Sequence, residues 1–277
     1  MLLSILAVAL SALVAGPLRA AEAGDFIRMT SAPDGTPAAL EVAIASYRND
    51  RGVRVDLVSA VHVADRSYFR ALDGRLGGYP VVLYELVGEP GSVRAPRGAS
   101  PSMVGLLQGG MQNALGLAFQ LEEIDYARDN MVHADMSAGE FARDMQDRGE
   151  SLVGLLFRAW ALSVAEQGAA PGQQADLLKV LLADDRQLAL KRMMAEQLSG
   201  QVDLLERIAG PDGSALIEGR NERALDVLRA QLDDGARRVA IFYGAGHMPH
   251  FARRLVGDLG FRHRATEWIE AWDLRDR

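Results

Sequence analysis

The chain has 277 residues, of which 49% are hydrophobic and 24% are charged, and its formal net charge is −7. This composition predicts a folded globular core and argues against a disordered chain. The acidic balance, with no basic run, argues against nucleic acid as a partner. Because the chain has no cysteine, disulfide scaffolds, cysteine nucleophiles and thiolate metal sites are excluded.

The first 23 residues have the pattern of a secretory signal peptide. Residues 2–15 carry no charge, and Pro17 and the small-residue stretch 20–23 follow them. The apolar run is shorter than the roughly 20 residues that a membrane-spanning helix needs. We therefore expect a periplasmic or secreted protein whose mature domain covers residues 24–277. The alternative is an uncleaved N-terminus that ties the protein to the cell envelope.

The N-terminal part of the mature chain has the pattern of a strand pair followed by a βαβ unit. Hydrophobic alternation predicts strands over 40–47 and 53–63 with a turn at 49–52 between them. A helix over 65–76, capped by Asp65, is predicted next, and then a buried strand over 81–87 that contains Glu85.

The middle of the chain, about residues 103–208, is predicted to be a mostly helical insertion. Leucine, methionine and aromatic residues at helical spacing predict helices over 103–121, 137–148, 152–167 and 177–198. After the insertion we expect a helix over 218–232, a strand over 238–243, a helix over 248–259 and a strand over 262–274. The expected fold is α/β (α+β): a mixed central sheet built from the N- and C-terminal parts, flanked by helices, with the insertion as a lid or cap.

The clearest local motif is the segment 241–250, where an apolar strand is followed by Gly244, Gly246 and His247. Glycines at a strand end let the backbone approach a ligand, and the next helix start offers free N–H groups. Open α/β sheets bind ligands at this edge. The structural alternative is a tight turn in which His247 has only a capping role.

Two other residues suggest that this edge carries a polar site. His62 holds the equivalent position at the end of its own strand, and Glu85 lies among apolar neighbours. A carboxylate there pays a large desolvation penalty unless it is paired, protonated or metal-bound. Two neutral imidazoles and one carboxylate form a common ligand set for Zn, Mn, Fe or Co. An ion pair between Glu85 and an arginine is the alternative.

Two further segments carry candidate residues. His133 and Asp135 lie just before a helix with a capping-box pattern that begins at Ser137, so an architectural role is the alternative for both. Arg220 and Asn221 stand at the start of a later helix, where they could face an anionic group or a developing oxyanion. A solvated helix face is the alternative there.

At these residues the sequence resembles the TraB/GumN and Tiki superfamily. The matching motifs follow in order over most of the mature chain, at 61–65 with 68–69, 84–86, 132–136, 220–221 and 243–247. The family pattern contains two Gly-x-x-His elements. The segment that ends at His247 fits one of them in full, and Ser59 replaces the glycine of the other.

The resemblance implies a metal-dependent hydrolase that acts on peptides, with a divalent metal such as Mn, Co or Zn. It assigns His62, Glu85 and His247 as metal or catalytic residues and Arg220 with Asn221 as substrate or transition-state contacts, and it leaves Glu85 open as ligand or general base. The other motif residues expected to bind a peptide or small-molecule substrate are Tyr84, His133, Asp135, Tyr243 and Gly246. The alternatives are a non-catalytic protein that sequesters a peptide or haem, and an envelope protein with a degenerate site.

Overall fold

The structure, a computed structural model, describes residues 26–89, 115–151, 180, 182–209 and 214–276. The predicted signal peptide at 1–23 and the helix predicted over 152–167 lie outside these residues. Within the described ranges, no helix combines the length and the hydrophobicity needed to cross a bilayer.

The described strands form a mixed seven-stranded sheet and one separate short pair. The strands are β1 (Ile27–Ser31), β2 (Pro37–Arg48), β3 (Arg54–Ala60), β4 (Val63–Ala64), β5 (Val81–Tyr84), β6 (Ala118–Phe119), β7 (Met131–His133), β8 (Arg238–Gly244) and β9 (Arg262–Asp273). The large sheet has the order β1-β2-β3-β8-β5-β7, and β9 pairs with β2, whereas β4 pairs with β6. Strands β3, β8, β5 and β7 run parallel, and β2 is antiparallel to β1, β3 and β9. The α/β prediction, with a mixed central sheet flanked by helices, is confirmed, but the sheet also takes strand β7 from the predicted helical insertion.

Helices cover both faces of this sheet. They are α1 (Arg66–Leu76), α2 (Gln120–Glu123), α3 (Ala138–Asp147), α4 (Arg186–Ala209), α5 (Arg220–Asp233) and α6 (Met248–Gly257), with a π-helical turn at Ala215–Gly219 and a 3-10 turn at Ala245–His247. Neighbouring residues of β8 point to opposite faces, so Phe242 packs in the core with α1 and Ile241 packs in the core with α5 and α6. Burial of both faces explains the continuous apolar run of this parallel strand.

Some local predictions are wrong in detail. The strand predicted over 81–87 ends at Tyr84, where its pairing with β7 ends, so Glu85 follows the strand and does not lie inside it. The described end of the helix predicted over 103–121 contains strand β6 before a short helix, because Ala118–Phe119 pairs with β4. The helix predicted over 177–198 is interrupted, and α4 begins only after Asp185, whose carboxylate accepts the Leu188 N–H at 2.9 Å.

Asp65 does not cap α1 through its side chain, although it occupies the N-cap position. Its carboxylate instead accepts two hydrogen bonds from Lys191 Nζ, at 2.8 and 2.9 Å, and one from the Asp273 N–H at 2.7 Å. Because Lys191 belongs to α4, this buried contact fastens the described end of the insertion to the sheet. The capping box predicted for Ser137 and Glu140 at the start of α3 is confirmed by both reciprocal hydrogen bonds.

Candidate functional site

The carboxyl ends of the neighbouring parallel strands β3, β8 and β5 meet at one edge of the sheet. His62, His247 and Glu85 follow these strands shortly after each ends. A Cβ atom placed on Gly244 would lie 3.4 Å from Glu85 Oε2, 3.6 Å from His62 Nε2 and 3.9 Å from His247 Cδ2. Three side chains that are distant in the sequence therefore surround one point above the end of β8. The absence of a Cβ at Gly244 leaves this point open.

Glu85 is held by three groups. Its Oε1 accepts a hydrogen bond from Arg220 Nη2 at 2.7 Å, its Oε2 accepts the Gly244 N–H at 2.7 Å, and His247 Nε2 lies 3.4 Å from Oε1. Burial alone would raise the pKa of Glu85, but the adjacent His247 and Arg220 outweigh burial and hold the pKa well below its usual value. Glu85 is therefore ionised at neutral pH.

Arg220 joins Glu85 to a second buried carboxylate. Its Nε donates to Asp135 Oδ1 at 3.0 Å and its Nη2 to Asp135 Oδ2 at 2.5 Å, which makes a two-point pair. Burial disfavours the charged guanidinium, but the carboxylates of Asp135 and Glu85 outweigh burial and raise the pKa of Arg220. Two carboxylates and one guanidinium give this network a formal charge of −1 before the histidines are counted.

The ring of His247 is oriented by Asn221. The Asn221 Nδ2 donates to the His247 carbonyl at 2.9 Å and to His250 Nδ1 at 3.2 Å, so its Oδ1 faces His247 Nδ1 at 2.6 Å. Burial lowers the pKa of His250 to about 4, so this ring is neutral and can accept the bond at neutral pH. Since an amide oxygen only accepts, His247 Nδ1 carries a proton, and the other ring nitrogen, Nε2, points towards Glu85.

Most of the other predicted substrate contacts lie behind the site. Tyr243 is buried, donates its hydroxyl to the Ala134 carbonyl at 2.5 Å and packs edge-on against His247. Tyr84 is buried edge-on against His133, whose Nε2–H donates to the Leu86 carbonyl at 2.7 Å. None of Tyr84, His133, Asp135 and Tyr243 is among the described residues that line the adjacent cavity, whereas Gly246 is. In this structure the four support residues that face the site.

A cavity of about 360 Å³ opens on the convergent side chains. Its polar end is formed by His62, Glu85, Arg220 and His247. Its larger apolar wall includes Ile27, Val61, Val63, Met194, Leu198, Leu216, Ile217 and Trp272. Sequence reasoning missed this wall, because an apolar residue in a helix or strand has the same pattern whether it faces the core or a cavity. Two of these residues, Met194 and Leu198, come from α4 of the insertion, the segment expected to act as a lid or cap.

The donor chemistry of the three convergent residues suits a divalent metal, but their arrangement does not. In the described part of the chain, no three histidine, aspartate or glutamate side chains are grouped so that they could hold a metal ion. Both oxygens of Glu85 already accept hydrogen bonds, and the Arg220 guanidinium brings a positive charge to the same place. A metal at this point would either share Glu85 with Arg220 or displace the guanidinium. Metal binding stays a prediction from the sequence.

Comparison with known proteins finds no family model, no curated protein and no solved structure that matches this chain. Membership of the TraB/GumN and Tiki superfamily therefore stays a prediction that rests on the ordered motifs.

Proposed function

We propose that the protein is an exported hydrolase of the TraB/GumN type, with a peptide bond as its preferred target and the His62, Glu85 and His247 site as its catalytic centre. One observation carries the proposal: an ionised carboxylate, an oriented imidazole and a guanidinium line the same cavity. Amide hydrolysis needs a base for the attacking water, an acid for the leaving amine and positive charge near the developing oxyanion. These residues supply all three.

His247 is the general base in this proposal. Its Nε2 lone pair takes a proton from water as the water oxygen attacks the carbonyl carbon, and the same nitrogen then returns the proton to the leaving amine. Glu85 Oε1, 3.4 Å away, stabilises the imidazolium that exists between these steps. Asn221 keeps the ring in the required tautomer through its contact with Nδ1. In serine hydrolases a carboxylate holds the ring nitrogen opposite the one that transfers the proton, and here Asn221 takes that place.

Arg220 is assigned to the carbonyl oxygen. Its bonds to the described residues Asp135 and Glu85 use Nε and Nη2, and Arg220 lines the cavity, so in this proposal Nη1 donates to the substrate oxygen. Because the guanidinium is fixed by two carboxylates, it needs no reorganisation as negative charge develops on the substrate. His62 is exposed at the rim of the same cavity and is assigned to substrate binding or a second proton transfer.

A peptide-library cleavage assay tests this proposal. We expect cleavage by the wild type, a loss of about 10²–10⁴-fold in rate for His247→Ala, and nearly full activity for the control His263→Ala, whose ring contacts Thr266 on β9. A wild-type protein that cleaves no peptide, with or without added Mn, Co or Zn, would refute the hydrolase and favour a non-catalytic peptide- or haem-binding protein.

The same assay tests the metal prediction. Activity that survives a chelator supports the route through His247 and Glu85 alone. Activity that a chelator abolishes and that Mn, Co or Zn restores supports the metal prediction. Metal analysis of the purified protein, made before the chelator is added, identifies the ion.

A further inference from the structure

The wall of the cavity is apolar, and this property determines which ligand groups the cavity can bind. Apart from His62, Glu85, Arg220 and His247, every described residue that lines the cavity is apolar or glycine. Even Trp272 presents only ring carbons, because its indole N–H donates to the Val63 carbonyl at 2.8 Å. His62, Glu85 and His247 follow strand ends and Arg220 contacts Glu85, so the cavity has one polar end and an uncharged remainder.

This distribution of charge discriminates between ligand groups. A charged group placed against the wall would lose its hydration without a counterion among the described residues that form the wall. An apolar group displaces water from apolar surface and gains free energy. The volume of about 360 Å³ falls within the range of ligand-binding cavities, so there is room for a side chain or an acyl chain beside the reacting carbonyl.

We propose that this wall is a specificity subsite, which binds an uncharged apolar group that the substrate carries next to its scissile carbonyl. The group is an aliphatic or aromatic side chain or a short acyl chain, since both present the same surface. Binding of such a group stands independently of catalysis, whereas its effect on turnover rests on the proposed function.

Helix α4 gives the subsite its adjustable part. Met194 and Leu198 line the cavity, are half-buried, and pack against the core cluster that includes Trp272. A methionine side chain is flexible and adapts to ligands of different shape. Met193, the preceding residue on the same helix, is also half-buried but does not line the cavity. The Met193 and Met194 pair therefore offers a matched control on one helix turn.

The subsite is tested by binding, with protein in which the methionine methyl groups are ¹³C-labelled. The probes are N-acetyl-leucinamide, N-hexanoyl-glycinamide and, as the charged control, N-acetyl-lysinamide. We expect the Met194 methyl signal to move with one or both apolar probes, which tells whether a side chain or an acyl chain is accepted, and not with the lysine probe. The Met193 signal should stay in place. The subsite would be overturned if the lysine probe moved the Met194 signal as far as the apolar probes do. It would also be overturned if none of the probes moved the signal.

Substitutions at Met193 and Met194 compare the two positions by the affinity of the protein for the probes. Met194→Lys should weaken binding of the better apolar probe at least tenfold, whereas Met193→Lys should leave it within about twofold. If Met194→Lys fails to fold, as judged by circular dichroism, Leu198→Lys and the wild-type probe series still decide the question. Equal affinity in the Met193 and Met194 variants would contradict the proposal.

Cleavage assays separate this inference from the proposed function. Peptides that differ only in leucine or lysine at the residue that provides the scissile carbonyl should differ in kcat/KM by about 10²-fold or more. Probe binding at Met194 without cleavage of any peptide would leave the subsite standing and refute the hydrolase. Cleavage without a preference between leucine and lysine would refute the subsite and leave the hydrolase.

Discussion

Replacement of Arg220 by methionine is the most direct test of the buried charge network. The Asp135 side chain is 0% exposed and the Glu85 side chain 10%, so loss of the guanidinium leaves two buried carboxylates without their shared partner. Removal of one member of a buried ion pair costs about 3–5 kcal/mol. In a domain of this size that corresponds to a fall in Tm of roughly 6–20 °C.

Urea unfolding followed by circular dichroism measures this loss. Arg223→Met, an exposed position on the same helix, is the matched control and should change stability by less than about 0.5 kcal/mol. The double substitution Arg220→Met with Asp135→Asn should recover part of the loss, because one of the unpaired carboxylates is gone. A cost below about 1 kcal/mol for Arg220→Met would refute the network as described.

The stability difference between the wild type and Arg220→Met should also depend on pH. Because the folded pKa of Glu85 is depressed, its pairing adds stability above its unfolded value near 4.5, and this stability is lost as pH falls through the folded pKa. Arg220→Met lacks part of this stabilisation at neutral pH. The stability difference between wild type and variant should therefore be largest near pH 7 and should narrow as pH falls below about 4. A difference that stays constant would contradict the assigned charges.

Three further substitutions test the surroundings of the site. Gly244→Ala should lose less than about 1 kcal/mol of stability, because the φ of −55° at this residue suits alanine. Its methyl group would fill the point between the three convergent side chains, so peptide cleavage should fall at least tenfold. Unchanged activity would contradict this geometry. Asn221→Ala should let the His247 ring exchange tautomers, which ¹⁵N NMR of the imidazole nitrogens detects. A ring that keeps its proton on Nδ1 in this variant would show that Asn221 is not the orienting group. Lys191→Met should cost about 1–3 kcal/mol in urea unfolding, because the Asp65 carboxylate loses its partner, and a neutral result would show that this contact does not fasten α4.

Local patterns predicted the elements well where burial imposes a period on the sequence. The strands β2, β3, β8 and β9 and the helix α6 were all expected close to their observed bounds. The sheet order was not expected, because β8 lies between β3 and β5 although it comes long after both in the chain. Pairing between such distant segments leaves no local trace.

The sequence predicted which residues form the candidate site but not which hydrogen bonds and ion pairs they make. Strand ends at one sheet edge explain why His62 and His247 were expected together, whereas Glu85 was expected because a carboxylate among apolar neighbours needs a partner. Whether Glu85 faces an arginine or an ion depends on where Arg220 arrives in space, which its position at a helix start does not determine. The arginine pair, the alternative considered for Glu85, is the arrangement observed.

Helix α4 also touches the end of the C-terminal strand. Lys191 Nζ donates to the Asp273 carbonyl at 2.9 Å, and Arg192 Nε donates to the Leu274 carbonyl at 2.8 Å. The next turn of the same helix carries Met194 towards the cavity. Because the Leu274 N–H also donates to the Ala38 carbonyl of β2, loss of this segment would loosen the edge of the sheet and one wall of the cavity together.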